Sequence, residues 1–221
     1  MEAGYRSGWQ VFCNSCWALL AVTGWNATYV PGSIHALLTG GGFGDERSYD
    51  GDKWCAVGGG WSKGLVFVVL GHFACCLGDT LASELGVLSK EEPRLVTTFR
   101  KVPRGTNGGM SGFGTMWSVL GGAVIGLVMG MCVAVENQAC GSGVIAGMVK
   151  WGAFAGGFGS LVDSVLGATV QETRYSAERK MITGGGGGGQ PINGWNVLTN
   201  NQVNLVSSLI TAGLLGWMTS S

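Results

Sequence analysis

The stretch GLVFVVLGHFACCLGDTLASELG, residues 64–86, decides how this chain folds. It is largely apolar and reaches the length of about 20 residues that a helix needs to cross a membrane. Its second half nevertheless carries two acids, Asp79 and Glu84. Because an ionisable residue at membrane depth is costly and is usually retained for function, the stretch predicts a membrane helix with a functional carboxylate near one end.

The composition of the whole chain favours the same environment. Only 12% of the 221 residues are charged, 46% are hydrophobic and 42 are glycine, and the mean hydropathy is +0.31. A soluble domain carries about twice this charged fraction. The formal net charge of zero and the presence of only two histidines argue against a nucleic-acid-binding surface and a histidine-rich metal centre. We therefore expect an all-α integral membrane protein, a polytopic bundle of about five to six transmembrane helices.

The chain contains several apolar runs of suitable length within what we interpret as one transmembrane domain, residues 1–221. The candidate spans are 10–38, 64–86, 110–134, 145–171 and 203–219. Asn26 and Pro31 interrupt the first, so we expect either one bent span or a span plus a re-entrant piece. The glycine tract at 183–189 is typical of a flexible linker.

The basic residues predict the orientation of these spans. The loops at 87–105 and 172–202 are rich in Lys and Arg, whereas the loop at 39–63 is dominated by Asp45, Glu46, Asp50 and Asp52. The positive-inside rule places the basic loops and the N-terminus on the cytosolic or stromal side, and five spans then place the C-terminus on the other side. The seven cysteines lack the spacing of a secreted disulfide framework.

Small residues recur at every fourth position of two spans. They are Gly114, Ser118, Gly122, Gly126 and Gly130 in one, and Gly152, Gly156, Ser160, Ser164 and Ala168 in the other. Residues at this spacing share one face of a helix, and small side chains allow helix backbones to approach closely in lipid. These stripes predict tight small-xxx-small packing.

A partial repeat links the two acidic spans. FACCLGDTLASELG, from Phe73, aligns with FAGGFGSLVDSVLG, from Phe154, and the second copy carries its acid at Asp163. We expect Asp79 and Asp163 to lie at similar depth, either as functional acids or as structural carboxylates bonded to a neighbouring Ser, Thr or backbone amide. Glu84 follows Asp79 by five residues, about 140° around a regular helix. Both acids of the first copy can share one ligand only if the helix unwinds near Gly86.

The loop after the second span combines cations with glycines. Its candidate phosphate-binding residues are Arg100, Lys101, Arg104, Gly105, Thr106, Asn107, Gly108 and Gly109. Successive backbone N–H groups of a glycine-rich loop can converge on an anion, and cations beside them add attraction. The simpler alternative is that the basic residues mark the cytosolic side and the glycines form a turn. Asn201 and Asn204, at the start of the last span, fit either an amide-rich helix contact or a ligand site.

These motifs resemble a known family. GDTLASELGVLSKEEPRLVTTFRKVPRGTNGGMS is similar to the core motif of the transmembrane protein 19 family, which also contains the plastid phytyl-phosphate kinase. YRSGWQVFCNS, GGFGSLVDSVLGATVQ and NNQVNLVSS resemble the family's other blocks, in the same order. Members usually have further hydrophobic segments upstream, so the resemblance implies a divergent or truncated member.

The resemblance implies a chemistry, because the family is similar to polyprenol kinases and CTP-dependent lipid nucleotidyltransferases. It implies Mg²⁺ held by Asp79 and Asp163, with Glu84 as a further candidate ligand, and phosphates bound by Lys101, Arg104 and the glycine loop. The expected reaction is transfer of a phosphoryl group from CTP or ATP to an isoprenyl monophosphate in an endomembrane or plastid membrane. The alternatives are a transporter, or a non-catalytic multi-pass membrane protein.

Overall fold

The computed structural model describes residues 7–40, 49–183 and 189–221. Residues 41–48, which include Asp45 and Glu46, and most of the predicted glycine linker, 184–188, lie outside the described residues. Three short helices come first: α1 (Gly8–Cys13), α2 (Cys16–Tyr29) and α3 (Ile34–Leu38). Four long helices follow: α4 (Gly60–Gly86), α5 (Gly112–Glu136), α6 (Gly143–Val170) and α7 (Asn200–Ser220).

The helical-bundle prediction is confirmed, with small additions of β structure in the loops. The strands are β1 (Arg94–Leu95), β2 (Gly109–Met110), β3 (Thr173–Ser176), β4 (Met181–Thr183) and β5 (Gln190–Asn193). β1 pairs antiparallel with β2, and β3 lies between β4 and β5 in an antiparallel sheet. All of them follow α4 or α6, on the side of the basic loops.

The first predicted span, 10–38, is divided further than the expected bent span or span plus re-entrant piece. In the described part of the chain, four helices, α4 to α7, are long and apolar enough to cross a membrane. Residues 8–38 instead form three helices, because the chain leaves the helical conformation at Asn14–Ser15 and at Val30–Ser33 around Pro31. Pro31 supplies no backbone N–H to continue α2. Trp25 Nε1 donates to Ser62 Oγ at 2.9 Å, which attaches the second half of α2 to the start of α4.

The long helices alternate in direction and create two opposite faces. The loop 87–111 and the described parts of the next basic loop, 171–183 and 189–199, meet on one face, here called the basic face, where the Asn107 N–H donates to Thr173 Oγ1 at 3.1 Å. The segments 49–59 and 137–142 meet on the other, the far face, where Asn137 Nδ2 donates to Trp54 O at 2.9 Å. Helix α7 therefore runs from the basic face to the far face. The predicted cytosolic or stromal location of the basic face stays a prediction.

The glycine stripes make the closest contacts between helices, as the sequence predicts. A Cβ at Gly122 would collide with the carbonyl of Gly152, and a Cβ at Gly126 with the carbonyl of Met148. α4 packs against α7 in the same way, since Gly71 faces Ala212 at a distance that leaves no room for a larger side chain. In lipid, where apolar burial does not drive helices together, such backbone proximity provides the packing energy.

Candidate functional site

Gly78 places Asp79 where α4, α5 and α6 meet. A Cβ at Gly78 would come within 2.8 Å of Gly156 Cα and of the Ser118 carbonyl. Only glycine lets α4 approach its two neighbours this closely, and the following residue is thereby fixed against α6. Ser160 Oγ donates to Asp79 Oδ1 at 3.4 Å. In the Gly-Asp dipeptide, Gly78 therefore makes the close helix contact and Asp79 makes the polar contact.

The structure brings Asp163 of α6 to the same place. Ser160, which donates to Asp79, lies one turn of α6 before Asp163, so the two acids are near each other although they stand 84 positions apart in the sequence (163 minus 79). Ser207 Oγ of α7 donates to Asp163 Oδ2 at 2.9 Å. With its amide nitrogen turned toward the acid, Asn204 donates to the same oxygen at 3.2 Å. The site therefore joins α4, α6 and α7.

Two neighbouring carboxylates inside the protein are stabilised either by a bound cation or by protonation of one of them. In the described ranges, the ion pairs are Lys53–Asp50, Lys101–Glu92 and Arg174–Glu172, and none of them includes Asp79 or Asp163. The hydrogen-bond partners of the pair are the hydroxyls of Ser160 and Ser207 and the amide of Asn204. Two carboxylates with hydroxyl and amide partners suit Mg²⁺, which binds through one or two carboxylates, substrate phosphates and retained waters. The donor set therefore fits the metal that the resemblance implies.

Glu84 does not belong to this cluster. Helix α4 continues without a break to Gly86, so the unwinding that would bring Glu84 beside Asp79 does not occur. Its side chain is exposed, and no group of three His, Cys, Asp or Glu residues able to hold a metal occurs among the described residues. The structure therefore leaves the pair Asp79 and Asp163 without Glu84 as a third ligand.

The glycine-rich loop docks against the end of α6 and the segment that follows it by its own hydrogen bonds. Asn107 Nδ2 donates to the Glu172 carbonyl at 3.1 Å, and Asn193 Nδ2 donates to the Asn107 carbonyl at 3.4 Å. Gly108 has a positive φ of 75° and lies against Ala168 and the Ser164 carbonyl, where a Cβ would collide. This contact is one turn of α6 beyond Asp163. The loop and the carboxylate pair thus share the same end of the bundle.

Much of the loop backbone is already engaged. The N–H of Thr106 donates to Pro103 O at 3.2 Å, and that of Gly109 donates to Thr106 O at 2.9 Å. Gly105 is exposed and has a φ of 83°. Packing and turn formation therefore account for most of the loop's glycines, which is the simpler of the two sequence interpretations. The predicted anion cradle stays a prediction, with Gly105 as its accessible member.

The cations of the loop are all exposed to solvent. Lys101 Nζ lies 3.2 Å from Glu92 Oε2 in a surface ion pair. Arg104 Nη2 donates to the Ser89 carbonyl at 2.6 Å. The structure shows no hydrogen bond from Arg100 or from the side chain of Asn201 to the carboxylate pair in the described part of the chain. Of the sequence-predicted residues, Asp79, Asp163 and Asn204 are the ones that come together directly.

Sequence reasoning missed two hydroxyls of the site. Ser160 belongs to the small-residue stripe of α6. Its i, i+4 spacing led to its interpretation as a packing residue, so its polar role was not predicted. Ser207 lies three residues after Asn204, on a helix rich in polar residues. The repeat could have indicated Ser160, because FAGGFGSLVDSVLG has that Ser three residues before its acid. At that spacing the two side chains lie on one side of a helix.

Comparison with known proteins agrees with this architecture. Residues 1–212 match the family model described as integral membrane protein DUF92. The chain belongs to this DUF92 family. Protein PGR of Arabidopsis thaliana is 35% identical over 223 aligned residues, which cover 96% of this chain and 69% of that protein. No solved structure matches the chain.

Two further relatives are more distant. The uncharacterized membrane protein MJ0933 of Methanocaldococcus jannaschii is 34% identical, over 66% of this chain and 48% of that protein. Protein VTE6, chloroplastic, of Arabidopsis thaliana is 32% identical over 45% of this chain and 27% of its own length. The chain thus spans about half of the archaeal relative. Membership establishes a multi-pass integral membrane protein in a lipid bilayer.

Proposed function

We propose that this DUF92 protein is a membrane-embedded, Mg²⁺-dependent phosphotransferase that transfers the γ-phosphoryl group of CTP or ATP to an isoprenyl monophosphate. The observation that carries the proposal is the pair Asp79–Asp163, held by hydroxyl and amide donors at the end of the bundle where the basic loop docks. The resemblance to the plastid phytyl-phosphate kinase supplies the class of substrate.

Phosphoryl transfer requires no covalent bond between the protein and the transferred group. An oxygen of the substrate monophosphate bonds to the γ-phosphorus while the bond to the β-phosphate oxygen breaks, giving an isoprenyl diphosphate and a nucleoside diphosphate. The attacking oxygen is already anionic, so a side-chain nucleophile is unnecessary. The protein must position the two phosphates in line and neutralise their charge. Asp79 and Asp163 would hold Mg²⁺, which would supply that neutralisation when bound.

The cations of the basic loop would bind the nucleotide phosphates. Lys101 is paired with Glu92 in an exposed ion pair, and exposed pairs contribute about 1 kcal/mol or less. Exchanging Glu92 for a phosphate therefore costs little. Arg100 and Arg104 are exposed on the same loop, and Gly105 offers an accessible backbone. The isoprenyl chain would remain between helices or in lipid while its phosphate reaches the pair.

A transporter would need a polar path that continues to the far face. Below the carboxylate pair, the described residues instead form an apolar cluster that includes Leu70, Met148 and Leu215, all fully buried. An apolar cluster toward the far face and polar groups toward the basic face suit a site that opens to one face. We therefore favour the phosphotransferase over the transporter.

The test is phosphoryl transfer by the purified full chain in lipid nanodiscs. Mg²⁺, γ-labelled CTP or ATP and a panel of isoprenyl monophosphates would be supplied. We expect Asp79→Asn to lower the rate by at least about 100-fold, because it removes charge that positions the metal. Glu84→Gln, an exposed change on the same helix, is the matched control and should retain the rate. Equal rates in both variants, or folded protein without any transfer, would reject the proposal.

A further inference from the structure

The structure contains a covalent link between two segments of the far face. Cys55 and Cys140 form a disulfide across 85 positions of the sequence. Cys55 lies before the start of α4, and Cys140 lies in the short turn between α5 and α6. The bond therefore joins segments outside the membrane-spanning helices.

The disulfide belongs to a dense set of contacts. Asn137 is fully buried and accepts a hydrogen bond from the Ala56 N–H at 3.1 Å while donating to Gly51 O at 3.2 Å. The Ala139 N–H donates to the Gly51 carbonyl at 3.1 Å. These bonds hold the two segments in register independently of the sulfur atoms. The cysteines are thus held together by the fold.

An aromatic cluster connects the far-face segments to α2. Trp25, Tyr29, Tyr49 and Trp54 pack with ring centroids 5.1 to 6.5 Å apart. The Tyr49 N–H donates to the Tyr29 carbonyl at 2.8 Å. The far face is therefore a single packed cap that connects α2, α4, α5 and α6.

The other five cysteines are not part of a disulfide. Cys13, Cys16, Cys75, Cys76 and Cys132 are free thiols. Two of them, Cys75 and Cys76, are adjacent in α4 close to Asp79, and two more are in the Cys13–Cys16 segment. The fifth, Cys132, lies inside α5 near the far face, so the disulfide pair differs from all five free thiols in lying in the far-face segments outside the long helices.

Disulfides persist in oxidising compartments and are rare where glutathione and thioredoxin keep thiols reduced. The charges indicate the same polarity independently, because the loop at 87–105 has five Lys and Arg residues against Glu91 and Glu92. We propose that Cys55 and Cys140 are oxidised on the non-cytosolic side, and that the far face lies in an oxidising compartment while the carboxylate site opens to the reducing side.

Formation of the Cys55–Cys140 disulfide is a two-electron oxidation. Two thiols lose two protons and two electrons and form one S–S bond, and a disulfide of a thiol–disulfide exchange protein accepts both electrons and is reduced to two thiols. The product closes the far end of the bundle. This inference depends on no part of the proposed phosphotransferase activity.

The first experiment counts the thiols of the full chain in native membranes. Acid first stops thiol–disulfide exchange, and the denatured protein is then labelled with maleimide-polyethylene glycol. The parent should show five modified cysteines before reduction and seven after it, as its free and total cysteines require. Cys55→Ser should show six in both conditions. Cys132→Ser, which removes an exposed free thiol, should show four and then six. Seven modified cysteines before reduction would overturn the proposal.

The second experiment assigns the side of the membrane. Thr97→Cys places a reporter on the exposed basic loop, and sealed vesicles are selected in which a membrane-impermeant maleimide labels it from outside. In these vesicles, an impermeant phosphine reductant should leave the Cys55–Cys140 bond intact, and permeant dithiothreitol should break it. Reduction by the phosphine would place both faces on one side and contradict the proposal. Vesicles with a cytosolic exterior that fail to label Thr97→Cys would contradict the assigned polarity.

Discussion

Helix α6 meets its neighbours in two different ways. Against α5, Gly152 and Gly156 bring the two backbones into direct contact. Against α4 and α7, Ser160 and Asp163 exchange hydrogen bonds with Asp79 and Ser207. The same small-residue spacing therefore produces pure packing in the first region and a polar site in the second. What differs is whether an acid stands beside the stripe.

Breaking the packing region should have the largest effect. Gly152→Val would drive its side chain into the backbone of Gly122 and Gly126, and overpacking of this kind costs about 3 kcal/mol or more. We expect little folded protein, measured as the monodisperse fraction in detergent by size-exclusion chromatography. Gly147→Val lies on the same helix with open space around it and controls for β-branching. Equal yields from the two variants would show that the close α5–α6 contact is unnecessary.

Breaking the polar region should spare the fold and change its response to metal. Asp163→Asn removes one of two like charges, so we expect the metal-free protein to be as stable as the parent or more so. Mg²⁺ should raise the melting temperature of the parent and leave that of the variant nearly unchanged. Thermal unfolding with and without Mg²⁺ measures both. A variant that keeps the full Mg²⁺ shift would remove Asp163 from the metal site.

Weakening the attachment of the basic loop should have an effect of intermediate size on nucleotide binding. Asn107→Ala removes the hydrogen bond to the Glu172 carbonyl, which is worth about 1 kcal/mol. We expect the nucleotide KM of the proposed reaction to rise about five-fold, since the loop would be held less firmly at the end of α6. Steady-state kinetics at saturating isoprenyl phosphate measures it, and the exposed Asn196→Ala is the control. A fall in kcat with an unchanged KM would place Asn107 in a different role.

The sequence predicts this fold better than it predicts the site. Four of the five spans follow from apolar length alone, and the glycine stripes identify the α5–α6 contact. The Asn14–Ser15 break was not predicted, because a helix break without proline has no clear apolar signal. The Cys55–Cys140 bond was also not predicted, since pairing depends on which segments meet in space and not on spacing.

For the site, the repeat indicates that Asp79 and Asp163 lie near each other, because its two copies are on α4 and α6, which run in the same direction and end at the same face. Helical geometry also excludes Glu84, as its 140° offset requires when α4 stays regular. Ser160 could not be distinguished from a packing residue, since a small hydroxyl satisfies both roles. The docked state of Gly108 depends on contacts with α6 that lie far away in the sequence.

The smallest expected effect tests whether the exposed cations act on the ligand alone. Lys101→Ala breaks a surface ion pair with Glu92, so stability should change by less than about 0.5 kcal/mol. Nucleotide binding should weaken by about two- to five-fold at low salt, and the difference should shrink as ionic strength rises. Lys90→Ala, exposed in the same loop, controls for net charge. If the two variants lose the same affinity, the loop attracts nucleotide only through its overall charge, and Lys101 has no specific place in the polar region.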